Sequence, residues 1–233
     1  MRKSAFVEDE YYHIYNRGVD KRTLFLKDAD RVRFMALILL CQGANAFPQI
    51  GRLVPDVKHL MFDKEPNAGL KEKIIQDILD SRLVELVAFV LMQNHFHCIL
   101  RELKEGGISK YMQRVGNAYA KYFNICYGRS GHLFENKFNS IHIDTNEYLN
   151  YLSAYIHLNI REVSRWSGRE DQYPWSSFRD YTGQNRFRDL LKQDIILGQC
   201  NSKNEYKRFV TESAIKVADL DDVKHLMFDR KGV

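Results

Sequence analysis

Two histidines stand one residue apart in His95-Phe96-His97, at the end of the apolar run 84–92. On an extended strand, side chains at i and i+2 share a face, so both imidazoles would project together, roughly 7 Å apart. That is half of a metal site, and two imidazoles seldom hold a hard catalytic cation by themselves. A second pair of chemistry-bearing residues lies further along. Tyr148, Tyr151, Leu152, Tyr155 and Asn159 recur at spacings of three and four, so on a helix they share a face, with Tyr155 and Asn159 one turn apart. If that helix packs near the histidine strand, the amide oxygen of Asn159 is a third ligand and the phenol of Tyr155 lies beside the metal-bound atom. A phenol of pKa about 10 is a poor nucleophile at neutral pH and needs help from its electrophile. Mg²⁺ or Mn²⁺ held by two imidazoles and an amide would keep open positions for phosphodiester oxygens, and Tyr155 would become covalently attached to phosphate.

Each element also has a plain structural explanation. His-x-His recurs incidentally on any strand of period two. The tyrosines at 148–155 pack well in a core when their hydroxyls find partners. Asn159 fits the polar end of a helix. The surrounding chain has to decide.

Positioning these side chains takes strands and helices in a workable order. Residues 11–15, Tyr-Tyr-His-Ile-Tyr, predict a first strand that stops at the turn signal Asn16-Arg17-Gly18. Asp28 can cap a helix whose apolar face is Val32, Met35, Ala36, Leu39 and Leu40. Residues 43–68 carry three of the four prolines without sustained periodicity and read as an insertion, followed by a short helix over 70–83. Strands are expected over 84–92 and 97–103 with a turn near Gln93-Asn94. After the Gly106-Gly107 break, Ile108, Tyr111, Met112, Val115, Tyr119, Tyr122 and Phe123 predict a long amphipathic helix over 108–127. Residues 134–143 alternate like a strand, and Asp144 or Thr145 can cap a helix running to about residue 163. This order predicts an α+β fold of ferredoxin-like type, an antiparallel sheet with helices on one face. The expected division is a catalytic domain over 1–183 and a helical C-terminal extension over 184–233.

One sequence, DVKHLMFD, occurs twice, at 56–63 and 222–229. Two short copies do not make a solenoid. They read either as a duplication without a role or as segments that dock into equivalent grooves, across a homodimer for instance.

With 233 residues the chain can bury a real core, and a net charge of +5 is compatible with a polyanionic partner. Cys41, Cys98, Cys126 and Cys200 are scattered, which argues against a structural zinc site or a disulfide framework and fits a reducing cytoplasm. The greasiest stretches fall well short of the ~20 apolar residues of a membrane helix. Residues 1–5 lead into acidic residues, which reads as no secretory signal.

Five ordered motifs then give these residues a context: Tyr12-His13-Ile14-Tyr15-Asn16-Arg17-Gly18, Met92-Gln93-Asn94-His95-Phe96-His97, Gly131-His132-Leu133-Phe134-Glu135-Asn136-Lys137-Phe138, Tyr155-Ile156-His157-Leu158-Asn159, and Tyr173-Pro174-Trp175-Ser176-Ser177-Phe178. Over about residues 11–181 the chain resembles the single-tyrosine, His-hydrophobic-His transposases, within them the REP-associated tyrosine transposases. The resemblance implies that His95 and His97, with Asn159, bind Mg²⁺ or Mn²⁺ and that Tyr155 attacks single-stranded DNA. Cleavage would leave a 5′-phosphotyrosine and a free 3′-hydroxyl, so that strands rejoin without ATP. Single-stranded or hairpin DNA could stack its bases on aromatics while Arg17, Lys21, Arg22, Arg114, Lys121 and Lys137 meet phosphates. Those charges also fit the solvated faces of amphipathic elements. One departure is Asn159-Ile160, where relatives commonly continue with Asn-Pro, a change that would let the helix run on.

Three functions follow from the sequence. The first is an enzyme that cleaves and rejoins single-stranded DNA through Tyr155. The second is a catalytically silent DNA- or RNA-binding module of the same fold. The third is a metal-dependent phosphodiesterase that uses water.

Overall fold

Alternating aromatic and β-branched residues make β1 (Tyr11–Arg17), and the chain returns through α1 (Asp28–Leu40), α2 (Ile50–Phe62) and α3 (Glu72–Asp80) to the hairpin β2 (Val84–Leu91) and β3 (His95–Glu102). Then follow α4 (Gly107–Cys126), β4 (Asn139–Ile143), α5 (Asn146–Leu158), α6 (Phe178–Thr182), α7 (Asp194–Leu197) and α8 (Lys203–Ser213). The computed structural model describes residues 5–45, 49–63 and 70–213. Among these, the strands form one four-stranded sheet in the order β2-β3-β1-β4, with every neighbouring pair antiparallel. The α+β class and ferredoxin-like strand order are as expected. No described helix is long and apolar enough to cross a membrane.

The two faces of the sheet carry different helices. Phe96 packs against Phe34 of α1, and the next even position, Cys98, lies under Tyr111 of α4. Tyr111 and Tyr119 of α4 donate to the carbonyls of Ile38 and Leu24 at 2.8 and 2.6 Å, which satisfies hydroxyls on fully buried rings. The alternate positions of β3, His95 and His97, face the other way, and α5 covers them. The expected single helical face is therefore the face of α1 and α4. α5 lies on the other face, where β1 and β3 bury His13 and Ile99.

Local signals set most boundaries. The Glu102 carboxylate accepts the amides of Gly107 and Ile108 at 3.0 and 2.6 Å, placing a negative charge at the start of α4. Thr145 caps α5 through its hydroxyl and the amide of Tyr148, 3.1 Å away. The predicted strand over 134–143 is shortened to β4. Its first residues instead meet the end of β1, where the side-chain amide of Asn16 donates to the carbonyls of Asn136 and Lys137. The helix expected to reach residue 163 ends at Leu158 and tightens into a 3-10 turn at Asn159–Glu162.

Residues 49–63, inside the segment expected to lack periodic structure, include α2, which buries Val57, Leu60 and Met61 and packs on α1. Pro55 inside that helix disguises it, because proline normally ends a helical pattern. The first DVKHLMFD copy forms the end of α2 and Asp63, whereas the copy at 222–229 lies outside the described residues.

The motif at 173–178 completes the sheet edge. Leu91 N–H donates to Trp175 C=O and Ser177 N–H to Phe89 C=O, so the segment covers the free side of β2. Beyond it, α8 lies against α5 and α6.

Candidate active site

The hairpin turn Gln93-Asn94 fixes where the histidines begin. Met92 N–H donates to His95 C=O at 2.9 Å, the Gln93 carbonyl accepts from Leu24 and Phe25, and the Asn94 carbonyl accepts from Gly18. The turn is thus tied to the segment after β1, and β3 starts at His95 itself, with both imidazoles on one face of the strand.

The two rings stand perpendicular with centroids 5.1 Å apart, and both side chains are buried. His95 Nδ1 is 2.8 Å from Asn94 Oδ1, while its Nε2 is 3.4 Å from Asn159 Oδ1 on the helix above. His97 Nε2 is buried and has no hydrogen-bond partner among the described residues. The ring of Tyr155 lies edge-on to His97 with centroids 5.9 Å apart. His95, His97, Tyr155 and Asn159 therefore meet within one chain, and α5 brings the last two down on the same side.

The donors suit a small divalent cation. Among the described residues no group of three or more His, Cys, Asp and Glu side chains is arranged to hold a metal, so a third protein ligand has to be of another kind. Asn159 supplies a neutral oxygen. Ligands of one octahedral cation at ~2.1 Å stand ~3 Å apart, and the spacing between His95 Nε2 and Asn159 Oδ1 is close to that. The bare Nε2 of His97 is the kind of buried nitrogen that coordination satisfies. Burial, reinforced by the neighbouring His13 and His95 rings, holds the His97 pKa well below the ordinary value, so this imidazole is neutral and its lone pair available.

Residues 52–159 match the model of the family described as IS200-like transposases, a stretch that runs from α2 to Asn159 and contains all four of these side chains. Over those residues the chain is similar to the IS200-like transposases. Its fold is similar to that of a solved REP-associated tyrosine transposase bound to a REP hairpin, at a TM-score of 0.50 and 13% identity, covering 84% of this chain and 92% of that one. No curated protein matches the chain in sequence. The family match leaves out β1 and the segment at 173–178, although β1 is central in the sheet.

Around this site the expected DNA-contacting cations separate into two groups. Arg17 pairs directly with His95 across the sheet and lines the same cavity as both histidines, where Glu135 holds its guanidinium in two bonds of 3.0 and 3.2 Å. Lys21 is exposed, and its carbonyl accepts from the Asn94 side chain next to His95; Arg22 follows it, and Lys137 is exposed beside β1. Arg114 and Lys121 ride on α4, on the opposite side of the sheet, where Arg114 binds the carbonyls of Gly43 and Ala44 at 2.7 and 2.5 Å.

Residue-by-residue reading of the sequence passed over His13 as a site residue. Its ring is wholly buried and stacked on His97, with centroids 5.1 Å apart, and burial pushes its pKa down to about 3. Tyr15, two residues on, also stacks on His97 at 5.7 Å. Their i, i+2 spacing put both on one strand face. Nothing local to β1 says that β3 will be its neighbour.

Proposed function

We propose that the chain cleaves and rejoins single-stranded DNA as a transposase, with Tyr155 as nucleophile. The observation that carries this reading is the placement of Tyr155 against His97 while Asn159, one helical turn away, brings its amide oxygen to His95. His95 Nε2, His97 Nε2 and Asn159 Oδ1 would hold Mg²⁺ or Mn²⁺. The chemistry such a cation supplies is polarisation of the phosphodiester and neutralisation of charge that develops on its oxygens.

The chain's own part is geometric. The Tyr155 oxygen attacks phosphorus, forming the tyrosyl–phosphate bond as the bond to the 3′ oxygen breaks. That oxygen leaves as a hydroxyl and the 5′ phosphate stays on the protein. Attack on the phosphotyrosine by a 3′-hydroxyl reverses the step, and no ATP is needed because each phosphoester broken is matched by one formed. Holding Tyr155 close to the phosphate converts a weak nucleophile's encounter into an intramolecular one. Arg17, Lys21, Arg22 and Lys137 border the site and suit the flanking phosphates. Arg114 and Lys121 would serve only a strand that wraps to the far side. A hairpin is the substrate class suggested by the REP-associated structural neighbour, and the reading places the protein in the cytoplasm.

The test is to incubate protein, Mn²⁺ and an end-labelled DNA hairpin. A covalent protein–DNA adduct is expected for the wild type and none for Tyr155→Phe. An adduct that persists in Tyr155→Phe overturns the nucleophile assignment. Hydrolysis that survives the substitution indicates a water-using phosphodiesterase, and tight binding without chemistry indicates a binding module.

A further inference from the structure

His13 and His97 share one hydrogen. His13 Nε2 and His97 Nδ1 are 2.9 Å apart, the rings are inclined by only 13°, and both side chains are sealed from solvent. A contact this short needs one donor and one acceptor. Two neutral arrangements satisfy it. In the first, His97 carries its hydrogen on Nδ1 and donates to His13 Nε2, which leaves His97 Nε2 as a bare lone pair and puts the His13 hydrogen on Nδ1. In the second, His13 donates from Nε2, and the His97 hydrogen moves to Nε2, where no acceptor among the described residues meets it, just as none meets the His13 Nδ1–H of the first.

Only the first arrangement makes His97 Nε2 a ligand. In the second, that nitrogen carries a hydrogen and cannot ligate. Each arrangement leaves one buried N–H unmade, on His13 Nδ1 in the first and on His97 Nε2 in the second, so the demand of a cation for a bare Nε2 decides between them. We propose that His13 is a positioning residue that accepts the Nδ1 hydrogen carried by the ligating tautomer of His97 and fixes its ring plane. The inference rests on the metal-site reading above and extends it to a strand outside the matched family segment.

A metal-bound imidazole generally gives its second N–H to a carboxylate, a carbonyl or water, which sets its tautomer. Here a neutral imidazole does that work. A carboxylate at the same point would put a charge in a wholly buried position, and the histidine avoids that cost. Tyr15 braces the pair, with ring centroids 4.8 Å from His13 and 5.7 Å from His97. Cation binding at His97 Nε2 is then coupled to the hydrogen positions of both rings, with no change in the number of protons bound.

Two measurements on the full-length, DNA-free protein decide the matter. The first is Mn²⁺ binding, followed through the electron paramagnetic resonance of the free ion. Wild type is expected to bind and His97→Ala to lose binding. His13→Phe, similar in shape but without an acceptor, is expected to bind about 10- to 100-fold more weakly. His13→Gln, whose side-chain oxygen can accept from His97 Nδ1–H, is expected to recover most of the affinity. The second is ¹⁵N NMR of labelled histidines with Mg²⁺ present: His13 and His97 should both carry hydrogen on Nδ1 and none on Nε2. If His13→Phe fails to fold, the Gln variant and the wild-type tautomers carry the decision. Hydrogen on His13 Nε2 in the Mg²⁺-bound protein, or undiminished Mn²⁺ affinity in His13→Phe, overturns the proposal while leaving the metal site standing. A wild type that binds no Mn²⁺ removes the metal site and the proposal together.

Discussion

The guanidinium of Arg17 reaches the histidine cavity already paired. Glu135 takes it in two bonds, and both side chains are largely covered, so a phosphate that approaches Arg17 competes with a carboxylate for the same donors. Replacing Glu135 by Gln leaves the shape and removes the competing charge. Glu135→Gln is therefore expected to bind single-stranded DNA more tightly and to steepen the dependence of log K on log salt by about 0.7, the amount for one further neutralised phosphate on a single strand. Arg17→Gln should shift both quantities the other way. The check is a fluorescence-anisotropy titration at several salt concentrations, and slopes unchanged in both variants would show that Arg17 meets no phosphate.

At the scale of elements, α5 is bolted by its back. Successive residues on a helix are turned by about 100°, so His157 points away from the face shared by Tyr155 and Asn159. Its Nδ1 lies 2.8 Å from the Tyr206 hydroxyl of α8, its Nε2 lies 2.8 Å from Ser177 Oγ, and that hydroxyl also accepts from Phe89 N–H of β2 at 2.9 Å. Tyr206 further bonds Ser153 Oγ at 2.9 Å. The C-terminal extension thus holds the tyrosine-bearing helix against the sheet through buried hydrogen bonds. Tyr206→Phe removes one hydroxyl and leaves the buried Nδ1 of His157 without that partner, while Ser153 keeps its bond to the Asn150 carbonyl. The expected loss is about 1–3 kcal/mol of folding stability, read as a lower urea midpoint with an unchanged slope. A midpoint equal to that of the wild type would count against this role for α8.

For the whole molecule, the buried imidazoles set a pH limit. Burial lowers the pKa of both His13 and His157 to about 3, whereas in the unfolded chain each titrates near ~6.5. Between those values the unfolded chain binds more protons than the folded one, so stability rises with pH across the interval. Their contribution is complete above pH ~6.5 and drains away as pH falls toward 3, at about 1.4 kcal/mol per unit for each histidine once well below the unfolded value. Urea unfolding at pH 5 is expected to show a loss of about 2–4 kcal/mol relative to pH 7.5, and a smaller loss in His157→Gln. Equal stability at the two pH values would mean that neither imidazole is buried neutral.

Periodicity in the sequence determined the kinds of element and the faces they bury. The apolar positions at 108–123 that define α4 are buried apart from the half-covered Tyr122, the histidine pair does share one face of a strand, and Tyr155 and Asn159 do share one face of a helix. These are local regularities, fixed by the strand and helix repeats themselves. Tertiary structure decided which elements meet. It placed α5 on the opposite side of the sheet from α1 and α4, put Arg114 and Lys121 away from the site, and folded α2 through a proline that the sequence pattern treats as a break. It also set His13 against His97, because β1 lies between β3 and β4 and strand neighbours follow from long-range packing of whole faces. A residue's own surroundings in sequence carry its face and its repeat. The partner across that face is chosen by distant parts of the chain that close over it together.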